Sequence, residues 1–280
     1  MKTIKVAAPA KINLTLEVLN RREDGFHNIK SIMQAISLYD YLTFSVEKAD
    51  KTTITLSGNS DKIPYDGKNL VYKAVDKFLQ KAHLKANVKV YIEKNIPVEA
   101  GLAGGSTDAA AAFFAMNEVF AHPLSSDAIE ELCASLGSDL NFCLHGGTAF
   151  CTGRGENTRK IATPNIDVTL VKPLGFGISA KEAYTKFSSM TQEQKKVPDN
   201  TEKMAQTFDS SLIYNSLELA VINDYPELLE IKNAVPDSFM SGSGPTFFML
   251  KEKSPKIFDS NRFVTIEGLK SVADGVKIVS

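Results

Sequence analysis

Apolar and polar residues alternate near the start of the chain, which predicts a half-buried strand from Ile4 to Val18. The apolar positions are Ile12, Leu14, Leu16 and Val18, and the polar ones are Lys11, Asn13, Thr15 and Glu17. Lys11 and Asn13 should project from one face about 6 to 7 Å apart, given a rise of roughly 3.3 Å per residue. Residues 30–38 and 41–46 are predicted as two strands joined by a turn at Tyr39 and Asp40, and 52–56 as a third.

Helical periodicity follows. Asn69 is predicted to cap a helix over residues 70–82, because apolar residues recur there at intervals of three and four. Residues 106–120 are nearly all small or apolar on every face, which predicts a central packed helix. Residues 125–136 form a third helical pattern that Gly137 should end, and the charged segment 192–207 is predicted to run over the surface.

A glycine-rich stretch joins the alternating segment 88–92 to the central helix. Gly101, Gly104 and Gly105 precede Ser106 and Thr107, so backbone N–H groups at the mouth of a helix are left without side chains to screen them. The helix dipole adds partial positive charge there, which favours an anion such as phosphate. The alternative is an ordinary turn in which Ser106 or Thr107 serves only as the N-cap.

The glycine-rich stretch does not match three known motifs that bind phosphate or carry a nucleophile. The stretch lacks the Gly-Lys-Ser/Thr ending of the P-loop, and its glycine spacing does not satisfy the dinucleotide fingerprint. Asp108 stands where a nucleophile elbow around Ser106 would need its last glycine. From the residues alone, the chain is an α+β protein with a candidate phosphate loop.

Composition adds limits rather than a function. The chain has 280 residues, 43% of them hydrophobic, and a net charge of −1, so bulk charge does not favour a nucleic-acid partner. Three cysteines without paired spacing disfavour disulfides and a zinc site, which suits the cytoplasm. No signal peptide or membrane span is expected, since no stretch approaches about 20 apolar residues.

Two further sites have open interpretations. Asp139 lies between the helix-ending Gly137 and an apolar run, so it is either an N-cap or a carboxylate placed in a cleft. Lys11 and Asn13 on the polar face of a strand are by themselves more typical of solvated residues.

Five motifs in order resemble a known family. Pro97-x-x-x-Gly-Leu-x-Gly-Gly-Ser-x-x-Ala109 resembles the phosphate loop of the GHMP small-molecule kinases. Pro9-Ala-Lys-Ile-Asn-Leu14 with Asp24-Gly-Phe-His27, Gly137-Ser-Asp-Leu-Asn-Phe142, Gly146-Gly-Thr-Ala with Gly153-Arg-Gly-Glu156, and Ser241-Gly-Ser-Gly-Pro245 are similar to segments of one branch, the 4-diphosphocytidyl-2-C-methyl-D-erythritol kinases.

The resemblance implies roles for individual residues. Asp139 would be the catalytic base and Lys11 its cationic partner. Substrate would contact Asn13, Phe26, His27, Tyr184, Gly242, Ser243 and Gly244. The ATP phosphates would be wrapped by Pro97, Val98, Glu99, Ala100, Gly101, Leu102, Ala103, Gly104, Gly105, Ser106 and Thr107. Arg154 could contact phosphate or simply anchor its turn.

The resemblance also implies a two-domain α+β fold: an N-terminal ribosomal-protein-S5-domain-2-like domain over residues 1–160 and a C-terminal ferredoxin-like α/β sandwich over 161–280. ATP and Mg²⁺ would be cofactors, with ligands for the metal unassigned. The small-molecule substrate would be phosphorylated on its 2-hydroxyl, in the non-mevalonate route to isoprenoids. The protein would be a cytoplasmic monomer or weak homodimer with no nucleic-acid or membrane partner.

Three departures from the family's pattern keep alternatives open. Phe26 replaces a tyrosine, Asn141 a proline and Ala180 a threonine. The alternatives are another GHMP kinase acting on a small alcohol and a non-catalytic nucleotide- or metabolite-binding regulator on the same fold. A pocket built for an aromatic base would distinguish the expected kinase from another GHMP kinase that acts on a small alcohol. Loss of Lys11 or Asp139 would have favoured the non-catalytic regulator.

Overall fold

A computed structural model describes residues 1–191, 193–195 and 198–279. Two β-sheets and eight α-helices make up these residues, which confirms the α+β class. The strands are β1 (Lys2–Arg21), β2 (His27–Lys48), β3 (Thr53–Gly58), β4 (Ala86–Glu93), β5 (Thr148–Thr152), β6 (Asn157–Ile161), β7 (Asp167–Pro173), β8 (Tyr214–Asn215), β9 (Phe239–Met240), β10 (Phe247–Met249), β11 (Phe263–Lys270) and β12 (Lys277–Val279). The helices are α1 (Leu70–Lys81), α2 (Gly104–Val119), α3 (Ser126–Leu136), α4 (Leu140–His145), α5 (Ala180–Ser189), α6 (Thr201–Thr207), α7 (Ser216–Val221) and α8 (Pro226–Ala234).

The first sheet is built on β1 and β2, which pair antiparallel over most of their length. Its main order is β12-β1-β2-β4-β3, with β5 on β2, β6 on β5 and β8 parallel to β1. The prediction that β1 would be half-buried is wrong. Both of its faces are covered, and even Lys11 and Asn13 on the polar face are only 4% and 2% exposed.

The predicted turn at Tyr39 and Asp40 is also wrong, because β2 runs through it without a break. A register shift opposite Pro9 and Ala10 absorbs the irregularity. The Asp40 carboxylate is fully buried and accepts hydrogen bonds from the backbone N–H groups of Asn95 and Ile96, at 2.6 and 2.9 Å. A residue typical of turns therefore serves as a buried anchor for the segment that leads into the glycine-rich loop.

Helices α1 and α2 pack together on the first sheet. Asn69 caps α1 as predicted, since its side chain accepts a hydrogen bond from the N–H of Val71. Helix α2 is buried along most of its length, including Phe113 and Met116, which confirms its central position. Ser125 caps α3 and Gly137 ends it, also as predicted.

The second sheet has the order β11-β7-β10-β9 and is antiparallel throughout. Strands β8 and β12 belong to the C-terminal half of the chain but pair with β1 in the first sheet. The two sheets therefore follow the proposed division at residue 160 except at these two strands. The domain boundary itself stays a prediction.

The segment predicted as a surface excursion, 192–207, is partly wrong. Gln192, Lys196 and Val197 lie outside the described residues. Helix α6 ends the segment and buries Thr201 and Met204, while Glu17 of β1 accepts hydrogen bonds from the N–H groups of Asn200 and Thr201. Across the described ranges, no helix combines the length and the hydropathy that crossing a bilayer would require.

Candidate active site

A cavity of about 780 Å³ receives side chains from both halves of the chain. Strand β1, the start of β2, the mouth of α2, the segment before α4 and helix α5 all contribute to its wall. The predicted site residues that line it are Lys11, Asn13, Phe26, His27, Gly101, Ala103, Ser106, Asp139, Tyr184, Gly242 and Ser243. The tertiary structure thus brings together residues from all parts of the predicted site.

Asp139 occupies the N-cap position of helix α4, yet its side chain makes no capping hydrogen bond. The carboxylate instead lies in the cavity wall, with Oδ2 3.7 Å from Nζ of Lys11. The side chain of Asp139 is 28% exposed, whereas that of Lys11 is 5% exposed. Asp139 therefore occupies the N-cap position, but its carboxylate lies in the cleft and does not cap the helix.

Lys11 is held by a chain of buried polar groups. Its Nζ donates to Oδ1 of Asn13 at 2.6 Å, and Nδ2 of Asn13 donates to Oγ of Ser31 at 2.8 Å. Ser31 in turn donates to the carbonyl oxygen of Thr15 at 2.5 Å. Every member is buried and hydrogen-bonded, so the ammonium is fixed in place before any ligand arrives.

The phosphate-loop segment reaches helix α2 through three residues with positive φ, Glu99 (φ 52°), Gly101 (φ 72°) and Ala103 (φ 58°). Helix α2 begins at Gly104, and Ala103 at its N-cap offers no side-chain hydrogen bond. The alternative in which Ser106 or Thr107 is the N-cap is therefore wrong, since both lie inside the helix. The uncapped N–H groups at this end face the mouth that Gly101, Ala103 and Ser106 line.

The other proposed ATP-binding residues do not line the cavity. They are Pro97, Val98, Glu99, Ala100, Leu102, Gly104, Gly105 and Thr107. Ala100, Leu102 and Thr107 are buried in the body of the protein. The side chains of these three buried residues support the loop. Contact with a nucleotide stays a prediction for all eight residues.

The second glycine-rich turn lies against the phosphate loop. Ser241 Oγ donates to the carbonyl oxygen of Gly101 at 3.0 Å. A Cβ on Gly101 would lie 2.0 Å from the carbonyl oxygen of Ser241, and one on Gly242 would lie 3.1 Å from Nζ of Lys11. Only glycine permits these approaches. Gly244 packs against Met240 and is absent from the cavity wall.

Aromatic rings form the other end of the cavity. The His27 and Tyr184 rings stack with centroids 5.4 Å apart and planes at 20°. Phe26 is 51% exposed, and the Arg154 guanidinium lies 4.9 Å from its ring centroid. Burial lowers the pKa of His27, with further lowering by Arg21 and Lys195, and burial raises the pKa of Tyr184.

Arg154 anchors its turn, which is one of the two interpretations given above, and its contact with phosphate stays a prediction. Its Nη2 donates to the carbonyl oxygen of Ala134 at 3.2 Å, and its Nε lies 3.5 Å from Oε1 of Glu156. These contacts anchor the turn. The side chain also lines the cavity, so a positive charge is available to a ligand there.

Two supporting groups were missed from the sequence. Lys94 bridges the buried carboxylates of Asp40 and Asp108 at the base of the phosphate loop, with Nζ 2.8 Å from Oδ2 of Asp108. Ser188 touches His27. The sequence did hold a sign of each group. Asp40 is an acidic residue between two apolar strand patterns, and Ser188 lies four residues after Tyr184, on the same face of a helix.

Comparison with known proteins identifies the family. Residues 69–147 match the model of the GHMP kinases N terminal domain. The 4-diphosphocytidyl-2-C-methyl-D-erythritol kinase of Clostridium tetani is 38% identical over 258 residues, covering 88% of this chain and 90% of the relative. The enzyme of the same name from Clostridium kluyveri is 40% identical over 257 residues, covering 87% and 89%.

Solved structures agree with this result. A crystal structure of 4-(cytidine 5'-diphospho)-2C-methyl-D-erythritol kinase superposes with a TM-score of 0.74 at 30% identity, covering 89% of this chain and 90% of the other. Homoserine kinase from Cytophaga hutchinsonii has a TM-score of 0.79 at 19% identity, which supports the fold alone. The GHMP kinase fold expected from the motifs is confirmed, and the chain belongs to the 4-diphosphocytidyl-2-C-methyl-D-erythritol kinase family of the GHMP kinases.

Proposed function

We propose that the protein transfers the γ-phosphoryl group of ATP to the 2-hydroxyl of 4-diphosphocytidyl-2-C-methyl-D-erythritol, giving the 2-phosphate, an intermediate of the non-mevalonate route to isoprenoids. The names of its relatives support this reaction. The single observation that carries it is the Lys11–Asp139 pair, 3.7 Å apart in a cavity that the mouth of α2 and an aromatic group also line.

Asp139 is proposed as the general base. Phosphoryl transfer requires an acceptor hydroxyl that is positioned and deprotonated, with the attacking and leaving oxygens in line. The Asp139 carboxylate has no capping partner to satisfy and lies in the cavity wall, so it can accept the proton of the 2-hydroxyl. Lys11 then stabilises the negative charge that develops on the transferred group.

The loop and the glycine-rich turn are proposed to hold the nucleotide phosphates. The N-terminal N–H groups of α2 and the helix dipole favour an anion at Gly101, Ala103 and Ser106. Gly242 lies close to both Gly101 and Lys11, so the turn closes the same end of the cavity. Asn13, beside Lys11, would hold the sugar alcohol. At the opposite end of the cavity, Phe26, His27 and Tyr184 would hold the cytosine.

Mg²⁺ is proposed as a cofactor that neutralises charge on the phosphates when it is bound. Kinase sites usually hold this ion through one or two protein oxygens together with substrate phosphates and water. The described residues include no group of three potential ligands among His, Cys, Asp and Glu. The cavity does present the Ser106 hydroxyl, and this hard oxygen donor would fit Mg²⁺ together with phosphate oxygens and water.

The remaining proposals concern the surroundings of the protein. A net charge of −1 gives no electrostatic support for nucleic-acid binding. We propose a cytoplasmic protein that acts as a monomer or weak homodimer without a membrane partner. Light scattering coupled to size-exclusion chromatography would measure the mass in solution, and a stable trimer or larger assembly would contradict this proposal.

The decisive experiment measures ADP release by the purified protein. ATP, Mg²⁺ and the cytidyl substrate should give turnover, whereas mevalonate, homoserine and galactose should not. ³¹P NMR of the product should show a new phosphomonoester beside an intact diphosphate. Turnover only with one of the other alcohols would favour another GHMP kinase activity, and binding without any turnover would favour the regulator.

A further inference from the structure

Ser188 on helix α5 connects the His27 imidazole to the helix backbone. Its Oγ lies 3.0 Å from Nε2 of His27 and 2.9 Å from the carbonyl oxygen of Tyr184, one helical turn earlier. A serine hydroxyl has one proton, and a carbonyl oxygen can only accept. Both contacts are hydrogen bonds at once only when the Ser188 proton goes to the Tyr184 carbonyl and Nε2 of His27 donates to Ser188 Oγ.

This assignment also decides whether Nδ1, the other ring nitrogen of His27, carries a proton. Burial and the charges of Arg21 and Lys195 lower the pKa of His27, so the imidazole is neutral near pH 8. A neutral imidazole has a single N–H, which Nε2 carries here. Nδ1 is left with a free lone pair, has no hydrogen-bond partner among the described residues, and belongs to a ring that lines the cavity.

We propose that Ser188 is a specificity-determining residue that fixes Nδ1 of His27 as a hydrogen-bond acceptor and so selects cytosine over uracil. Cytosine carries an exocyclic amino donor where uracil has a carbonyl oxygen. With uracil, two acceptors would face each other and both would lose their hydrogen bonds to water. The inference rests on the proposed function, in which His27 contacts the cytosine of the substrate.

The surroundings of His27 give the selection a defined pH dependence. The charged and titratable groups facing the ring are Arg21 from β1, Tyr184 from α5 and Lys195 from the segment after α5. Burial raises the pKa of Tyr184, so its hydroxyl stays neutral up to pH 8. The imidazolium form of His27 carries a proton on Nδ1 and loses the acceptor.

The test compares binding of CDP and UDP to the full-length protein by calorimetry. At pH 8 the wild type should bind CDP about tenfold more tightly than UDP, as expected for one hydrogen bond made or lost. Ser188→Ala should reduce this preference at least about threefold. Acidification below the lowered pKa of His27 should also reduce the wild-type preference, because the imidazolium form has a proton on Nδ1.

Ser189→Ala is the matched control. Ser189 Oγ also donates to a carbonyl of the same helix, that of Lys186 at 2.7 Å, but Ser189 is exposed and does not line the cavity. This variant should keep the full preference for CDP. An unchanged preference in Ser188→Ala, or an equal loss in both variants, would overturn the inference.

¹⁵N NMR of histidine-labelled wild-type protein provides a second readout that needs no ligand and does not depend on the Ser188→Ala variant. His27→Gln identifies the His27 signals among the four histidines. The expected spectrum at pH 8 has the proton on Nε2, and a proton on Nδ1 would overturn the inference. Protein that prefers CDP but does not phosphorylate the cytidyl substrate would contradict only the proposed function, because binding and tautomer are measured without turnover.

Discussion

Nζ of Lys11 lies 3.7 Å from Oδ2 of Asp139, although one residue belongs to the first strand and the other precedes helix α4. The ammonium is buried and held by Asn13, whereas the carboxylate is partly open to the cavity. A fixed cation beside an accessible carboxylate suits a site where a proton leaves a hydroxyl as negative charge moves onto a phosphoryl group.

Asp139→Asn should lower kcat by about 10² to 10⁴, the usual contribution of a general base, because an amide cannot accept the hydroxyl proton. Nucleotide affinity and thermal stability should change little, since the side chain caps no helix. Steady-state ADP release and calorimetry with ADP would measure the two effects. Asp127→Asn, at an exposed position in the first turn of α3, is the control and should keep full turnover. Near-normal turnover in Asp139→Asn would reject this role.

Lys11→Met should reduce kcat by an amount similar to that of Asp139→Asn, about 10² or more, because the charge stabilisation is lost. Lys11→Arg should not restore activity, since the Lys11 side chain is only 5% exposed and its Nζ lies 2.6 Å from Oδ1 of Asn13, whereas a planar guanidinium needs more room. Lys5→Met provides the control on the same strand. Its ammonium is exposed and pairs with Glu93 at 3.6 Å, away from the cavity. Full activity in Lys11→Arg would show that the site tolerates a larger cation and contradict the packing argument.

Gly101→Ala should weaken ATP binding and destabilise the fold. Its φ of 72° disfavours alanine, and the new Cβ would lie 2.0 Å from the carbonyl oxygen of Ser241. The positive φ alone costs about 1 kcal/mol, and the clash adds to that. Urea unfolding and the KM for ATP would measure both effects.

Gly105→Ala is the stability comparison for that variant. Gly105 lies in the first turn of α2, and its added Cβ would meet only Leu70 at 3.7 Å. Stability should be unchanged or higher by about 0.5–1 kcal/mol, because alanine is the better helix former. Equal stability of the two variants would contradict the close approach between the loop and the Ser241 turn.

The buried carboxyl of Asp108 should make stability depend on pH. Burial raises its pKa above the ordinary value of 3.8, and Lys94, whose ammonium lies 2.8 Å away, is shared with Asp40. From about pH 4 upward the unfolded chain loses this proton first, so the folded state binds more protons. The free energy of unfolding should therefore fall as pH rises from 5 towards 7.5, by up to about 1.4 kcal/mol per pH unit from this group.

Asp108→Asn should flatten that dependence, because an amide does not titrate. Urea unfolding at several pH values would measure the slope for the wild type and for the variant. Asp127→Asn, on the surface of α3, should keep the slope of the wild type. A wild-type slope in Asp108→Asn would show that other groups cause the dependence.

Much of the local structure was contained in the sequence. The cap at Asn69, the end of α3 at Gly137 and the mostly small or apolar surface of α2 depend on residues close together in the chain. Turn and cap chemistry act over a few residues, so a linear pattern is enough to predict them. The ordered motifs likewise fixed the family.

The tertiary structure decided which polar residues are buried and which meet. The alternation of apolar and polar residues shows that β1 has one apolar and one polar face. Whether the polar face is buried depends on what packs against it in the folded chain. For the same reason Asp40 resembled a turn residue and is a buried anchor, and Ser188 gave little sign of its contact with His27. The sequence by itself determined the local elements and the family, because both depend on the order of residues. The pairing of Lys11 with Asp139 required the folded chain, since no local pattern records which distant residues become neighbours.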